Sequence, residues 1–152
     1  MGRNLVIYLD TCIYGRPFDR PTTPEIRAEA AAVDAIIKWC KAGGHRIIGS
    51  ATVTSEIGQI ANPAKRAEIE AFYYKNINGE VMLSTQGIKR MLDLKSQGLG
   101  DMDSQHLTTA ETAGADFLLT TDKFFIKRGN SLKLYNVKIM NPTNFVKEGY
   151  LK

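Results

Sequence analysis

The chain has 152 residues, 43% hydrophobic and 24% charged, the balance of a soluble globular domain long enough to bury a core, and it is expected to form one domain over residues 1–152. No apolar run approaches the roughly 18 residues of a membrane span, and the N-terminal apolar stretch runs into Asp10 too early for a secretory signal, so neither a membrane nor export is expected. The net charge of +4 tilts the chain weakly towards an anionic partner.

Residues 4–9, NLVIYL, are apolar and rich in β-formers, and predict a first, central strand that ends at Asp10. Gly15, Pro17 and Pro21 mark the next stretch as a loop. Thr22, Thr23, Pro24 and Glu25 open a helix with a Thr cap, a Pro in the first turn and a Glu closing a capping box. Its inward face is Ile26, Ala30, Val33, Ile37 and Cys40, and Gly43–Gly44 ends it. HRIIGS (45–50) predicts a second strand, and the next ten residues a short helix carrying Glu56. A third helix starts at Pro63, capped by Asn62, and runs to about Asn76. Residues 81–84 read as a minor strand or coil and residues 87–97 as a helix.

Residues 98–126 then read as a turn, a helix, a turn and a strand. Asp101 is the expected cap and Asp103 lies in the first turn, where the helix dipole favours a carboxylate. Gly114 stops the helix, and Ala115 to Thr120 form a buried parallel strand ending at Asp122. KLYNVKIM (133–140) is the expected last strand, followed by a short turn or helix after Asn141–Pro142. Strands alternating with helices predict an α/β fold, a central, mostly parallel sheet flanked by helices. There is no GxGxxG and no P-loop, so no nucleotide-binding motif is present.

Four acids fall at corresponding places in this frame. Asp10 and Asp122 end two strands, Asp103 begins the helix leading into the second of them, and Glu56 follows a third strand. Ligands bind at that edge of open α/β sheets. Carboxylates so close would repel or take up protons, and a divalent cation removes the conflict. Mg2+ and Mn2+ prefer such oxygen ligands. Cys12 and Cys40 are expected to be reduced thiols in a cytoplasm, and with the two histidines they make no zinc site. His106 shares a helix face with Asp103 and reads as a packed or hydrogen-bonded residue. Between Lys123 and Lys147 there is no acid, and Lys123, Lys127 and Arg128 are candidate phosphate contacts, with a merely solvated basic face as the plainer reading.

On YLDTC (8–12), SATVTSEI (50–57), GLGDMDSQHLTTAE (98–111), LLTTDKFF (118–125) and IMNPTNF (139–145), in this order and over nearly its whole length, the chain resembles PIN-domain proteins. The resemblance implies a three-layer sandwich around a parallel sheet. It also implies a metal-dependent endoribonuclease in which Asp10, Glu56, Asp103 and Asp122 bind Mg2+ or Mn2+, while Thr11 and Thr120 orient the acids or a metal water. Many small single-domain members are VapC-like toxins, so the expected partners are RNA, a cognate antitoxin and a second copy of the chain. Two features depart from the family pattern: Cys12 stands where Asn or Ser is commoner, and Asp101 competes with Asp103 for the ion. With no histidine pair and no activated Ser or Cys, attack by a metal-bound water is the expected chemistry. The alternatives are a non-catalytic RNA-binding or scaffold domain on the same fold, and an Asp10-based phosphotransferase, which the Thr11–Cys12 pair following Asp10 disfavours.

Overall fold

In the computed structural model, which describes residues 2–151, five strands form one sheet. They are β1 (Val6–Leu9), β2 (Arg46–Ser50), β3 (Glu80–Val81), β4 (Phe117–Leu119) and β5 (Lys138–Met140), in the order β3-β2-β1-β4-β5. Every neighbouring pair is parallel, with Tyr8 of β1 opposite Ile48 on one side and Leu118 on the other. Consecutive residues Ile7, Tyr8 and Leu9 are all buried, as are Phe117, Leu118 and Leu119, so helices cover both faces of the sheet. The expected three-layer α/β architecture, with β1 at its centre, is the one observed.

The helices are α1 (Thr11–Gly15), α2 (Pro24–Gly43), α3 (Ala51–Gly58), α4 (Pro63–Asn76), α5 (Thr85–Ser96), α6 (Asp101–Thr112), α7 (Lys123–Asn130) and α8 (Pro142–Lys147). Local chemistry explains most of their starts. Ser50, Asn62 and Ser84 each accept a hydrogen bond from the backbone N–H three residues on, and Gly44 ends α2 at a φ of 71°. None of these helices is long and apolar enough to cross a membrane.

Several expectations fail for identifiable reasons. Residues 11–18 are not a loop: Asp10 caps α1, and Pro17 sits in a 3-10 turn at Arg16–Phe18. The capping box is absent. Pro24 takes the first helical position, which makes Thr23 the cap and leaves Glu25 one residue short of the box. Asp101 does not cap α6; Gly100 holds that position without a side-chain bond, and Asp101 reaches back to an ion pair with Lys95. The last strand begins only at Lys138, because Asn136 turns the chain with a φ of 66°. Residues 123–130, where the sequence pattern predicts no helix, form α7 under the cap of Asp122.

Buried polar groups tie these elements together. Glu29, on the inward face of α2, makes an ion pair with Arg16 at 3.1 Å and accepts from the Asn141 amide at 2.7 Å. Asp19 in turn binds Arg16 at 2.9 Å and Lys65 at 3.0 Å, pinning the Arg-Pro-Phe-Asp turn that follows α1. At Gly49 a Cβ would lie 2.1 Å from the Tyr73 hydroxyl, so only glycine lets α4 bring that hydroxyl to the Ser50 amide at 2.9 Å.

Candidate metal centre

The strand order reverses at β1. From there the chain runs outwards through β2 and β3, then returns to place β4 on the other side of β1. The crevice beyond the carboxyl ends of β1 and β4 is therefore the topological switch point, the usual ligand site of such sheets. Asp10 and Asp122 stand at its two sides.

Asp10 is buried at 8% exposure and anchored at both oxygens. Oδ1 accepts from the Thr11 backbone N–H at 2.7 Å, and Oδ2 from the Thr120 hydroxyl at 2.7 Å. Asp122 is exposed and caps α7 by accepting from the Phe125 N–H through Oδ1 at 3.1 Å. Asp103, in the first turn of α6, has its carboxyl pushed up to about 6 by burial and by the charges of Asp10, Asp122 and Glu56, only partly offset by His106. The four predicted acids therefore share one electrostatic site. Asp101 is paired instead with Lys95.

Glu56, from α3, accepts from the Thr11 hydroxyl at 2.6 Å and from His106 Nε2 at 2.5 Å, both through Oε1. Burial opposes its ionisation, but these two bonds and the His106 charge outweigh burial and hold the carboxyl below the usual range. His106 Nε2 also lies 3.2 Å from Asp10 Oδ1. Its Nδ1 is hydrogen-bonded to the Tyr8 hydroxyl at 2.6 Å, which meets Ser50 Oγ at 2.8 Å. Burial works against the charged ring, yet Glu56 and Asp10 raise its affinity for a proton. His106 is thus both packed and hydrogen-bonded, as its place on the helix face predicts. The sequence pattern does not predict the chain of Tyr8 and Ser50 behind it, although a tyrosine inside an apolar central strand signals a buried hydroxyl in need of partners.

Ligand atoms of Asp10, Glu56 and His106 all lie within 4.8 Å of one another, a cluster compatible with a divalent cation. Both His106 nitrogens are occupied by protein partners, so the donors left for a hard ion are carboxylate oxygens, the set that Mg2+ and Mn2+ prefer. The Cys12 thiol accepts from the Thr121 hydroxyl at 3.4 Å. Burial and the Asp10 charge push it up to about 12, so it is no nucleophile at neutral pH. Lys123 lies 3.8 Å from Glu25, whereas Lys127 and Arg128 form no ion pair among the described residues.

The five-stranded parallel sheet flanked by helices matches a PIN-like fold. No protein-family model and no curated protein matches the chain. Solved structures do, and two of them illustrate the likeness. One is VapBC2 from Rickettsia felis bound to a DNA fragment from their promoter, at 13% identity and a TM-score of 0.58, covering 90% of this chain and 98% of that one. The other is VapBC-1 from nontypeable Haemophilus influenzae, at 19% identity and a TM-score of 0.58, covering 91% and 99%. At such identities the likeness is one of fold.

Proposed function

We propose that the chain is a single-domain, Mg2+- or Mn2+-dependent endoribonuclease, a cytoplasmic toxin that pairs with a cognate antitoxin and with a second copy of itself. The observation that supports this reading is the Asp103 carboxyl, pushed up to about 6 by burial and by the charges of Asp10, Asp122 and Glu56, near the close set of ligand atoms from Asp10, Glu56 and His106. The shared fold of two toxin–antitoxin complexes supports the antitoxin. A bound divalent ion would supply the positive charge that stabilises the phosphodiester transition state and lowers the pKa of water.

The remaining chemistry belongs to the chain. Asp10, Asp103 and Asp122 would hold the ion, and Thr120 fixes the Asp10 carboxylate. Thr11 and His106 both bond to Oε1 of Glu56, which leaves Oε2 free to take a proton from attacking water or to join the ligands. Lys123, Lys127 and Arg128 follow Asp122 and contact phosphates. Attack by water leaves 5′-phosphate and 3′-hydroxyl ends. Incubating a mixed RNA pool with Mn2+ or with EDTA, and ligating the downstream fragments without kinase treatment, tests the metal-dependent cleavage and its end chemistry. Ligatable ends produced only with metal are expected, with a loss of roughly 10²-fold or more in Glu56→Gln. Cyclic-phosphate ends, or cleavage that survives chelation, would refute it.

A further inference from the structure

Helix α7 has two faces of opposite character. Its inner face is Phe125, fully buried, and Gly129, where a Cβ would lie 2.3 Å from Ile139 Cδ1; these seat the helix against β5. On the outer face, Phe124, Lys127, Arg128 and Ser131 line a cavity of about 350 Å³. Phe124 is 55% exposed, in a position that solvation alone would give to a polar residue. Lys127 and Arg128 lie three and four residues on, one turn away on the same side, and neither is neutralised by an acid among the described residues. Arg128 is further placed by Gly98, whose φ of 104° and missing side chain let the guanidinium lie against the turn before α6; a Cβ there would be 3.4 Å from Arg128 Nε. This cation thus sits between the helix capped by Asp122 and the segment leading to Asp103.

Helical side chains lean towards the helix N-terminus, and the N-terminus of α7 is Asp122. Phe124 therefore stands in the first turn of α7, two residues after Asp122, with Lys127 and Arg128 one turn further along the same face. An exposed aromatic next to free cations is the arrangement on which an unpaired base stacks while its phosphates are neutralised. We infer that the outer face of α7 is a base-stacking platform, in which Phe124 stacks an unpaired base while Lys127 and Arg128 hold its phosphates. The inference rests on the nuclease reading but is separable from it by binding measured without metal.

The test is fluorescence anisotropy, in EDTA, with a labelled single-stranded 10-mer oligoadenylate and a 10-base-pair RNA duplex. Phe124→Ala should weaken single-strand binding about tenfold, the loss of one base–aromatic stack, and leave the duplex unchanged. Phe124→Trp should restore affinity and Phe124→Leu should not, although leucine keeps apolar area at the site. A 2-aminopurine in the oligonucleotide should be quenched by wild type and not by Phe124→Ala. The log–log salt slope should persist in Phe124→Ala and flatten in Lys127→Ala/Arg128→Ala, by about 0.7 for each phosphate no longer neutralised. Wild-type affinity in Phe124→Leu, equal losses on single strand and duplex, no single-strand binding at low salt, or an effect of Phe124→Ala confined to self-association or to antitoxin binding would each overturn the platform. If these fail while Mn2+-dependent cleavage persists, only the platform falls; if stacking holds without cleavage, only the nuclease reading falls.

Discussion

Removing the charge of Asp103 should make the metal-free protein more stable. The carboxyl is held near 6, against an ordinary value of about 3.9. At 1.36 kcal/mol per pH unit, that difference is an ionisation penalty of about 3 kcal/mol at neutral pH for a fully shielded group. Asp103 is only half-buried, so solvent screening reduces the figure to about 1–2 kcal/mol. Asp103→Asn should therefore raise the melting temperature in EDTA at pH 7.5 by about 3–6 °C. The pH dependence follows from the sign of the shift. Below about pH 4 the carboxyl is protonated both folded and unfolded, and the wild type carries no penalty. As pH rises towards 6 the unfolded chain releases its proton while the folded one retains it, so wild-type stability falls relative to the variant. Scanning calorimetry from pH 4 to 7.5 should thus show a gap that opens between about 4 and 6 and stays constant above. Adding Mn2+ should stabilise the wild type, by about 2.7 kcal/mol at a hundredfold excess over Kd, and the variant far less. A variant that melts below wild type in EDTA, or pH profiles that run parallel, would show that Asp103 is not in conflict with its neighbours and would remove the electrostatic argument for the ion.

Asp10→Asn should abolish Mn2+ binding in titration calorimetry, whereas Asp101→Asn should leave it intact, because Asp101 pairs with Lys95 instead; equal losses would assign the ion to the wrong acid. Gly49→Ala should destabilise by about 1–3 kcal/mol, since its Cβ would fall 2.1 Å from the Tyr73 hydroxyl; an unchanged melting temperature would mean that Tyr73 moves aside freely. Although its burial opposes ionisation, Asp116 is held below the usual carboxylate range by Arg3, the Val6 amide and Asn136. Its contribution is therefore present above about pH 4 and lost as pH falls further, so Asp116→Asn should lower the urea midpoint at pH 7 and approach wild type at pH 2–3.

What can be read in the sequence divides along the range of the interactions involved. Helix α4 begins at Pro63 under Asn62 and ends at Asn76 as expected, because its cap is local. Asp10, Asp103 and Asp122 are legible for a similar reason, each lying beside a strand end or a helix start, whereas Glu56 sits in the last turn of α3. Helix α7 is not legible, since KFFIKRGN is short and charged, and its seat on Ile139 is a tertiary fact. The last strand reads too long because the alternation in KLYNVKIM continues upstream of Lys138, whereas pairing with β4 covers only Lys138 to Met140. Nor can spacing alone show that Tyr8 meets His106, 98 residues away, or that His106 then meets Glu56.

Helix capping and metal binding compete as readings of an Asp at a helix start, but here they are compatible uses of the same carboxylates. Asp10 caps α1, Asp122 caps α7, and Asp103 lies in the first turn of α6. Three helix N-termini thus bring partial positive charge to three of the acids. For Asp122 the cap occupies one oxygen and leaves the other available. That explains how the chain can fold around a group of carboxylates before any cation arrives: N–H donors, the hydroxyls of Thr11 and Thr120, and His106 offset much of the repulsion. Asp103 has no cap bond of its own and keeps the largest remaining conflict, which is why it is the acid whose proton affinity rises and the one whose charge a bound ion would relieve most.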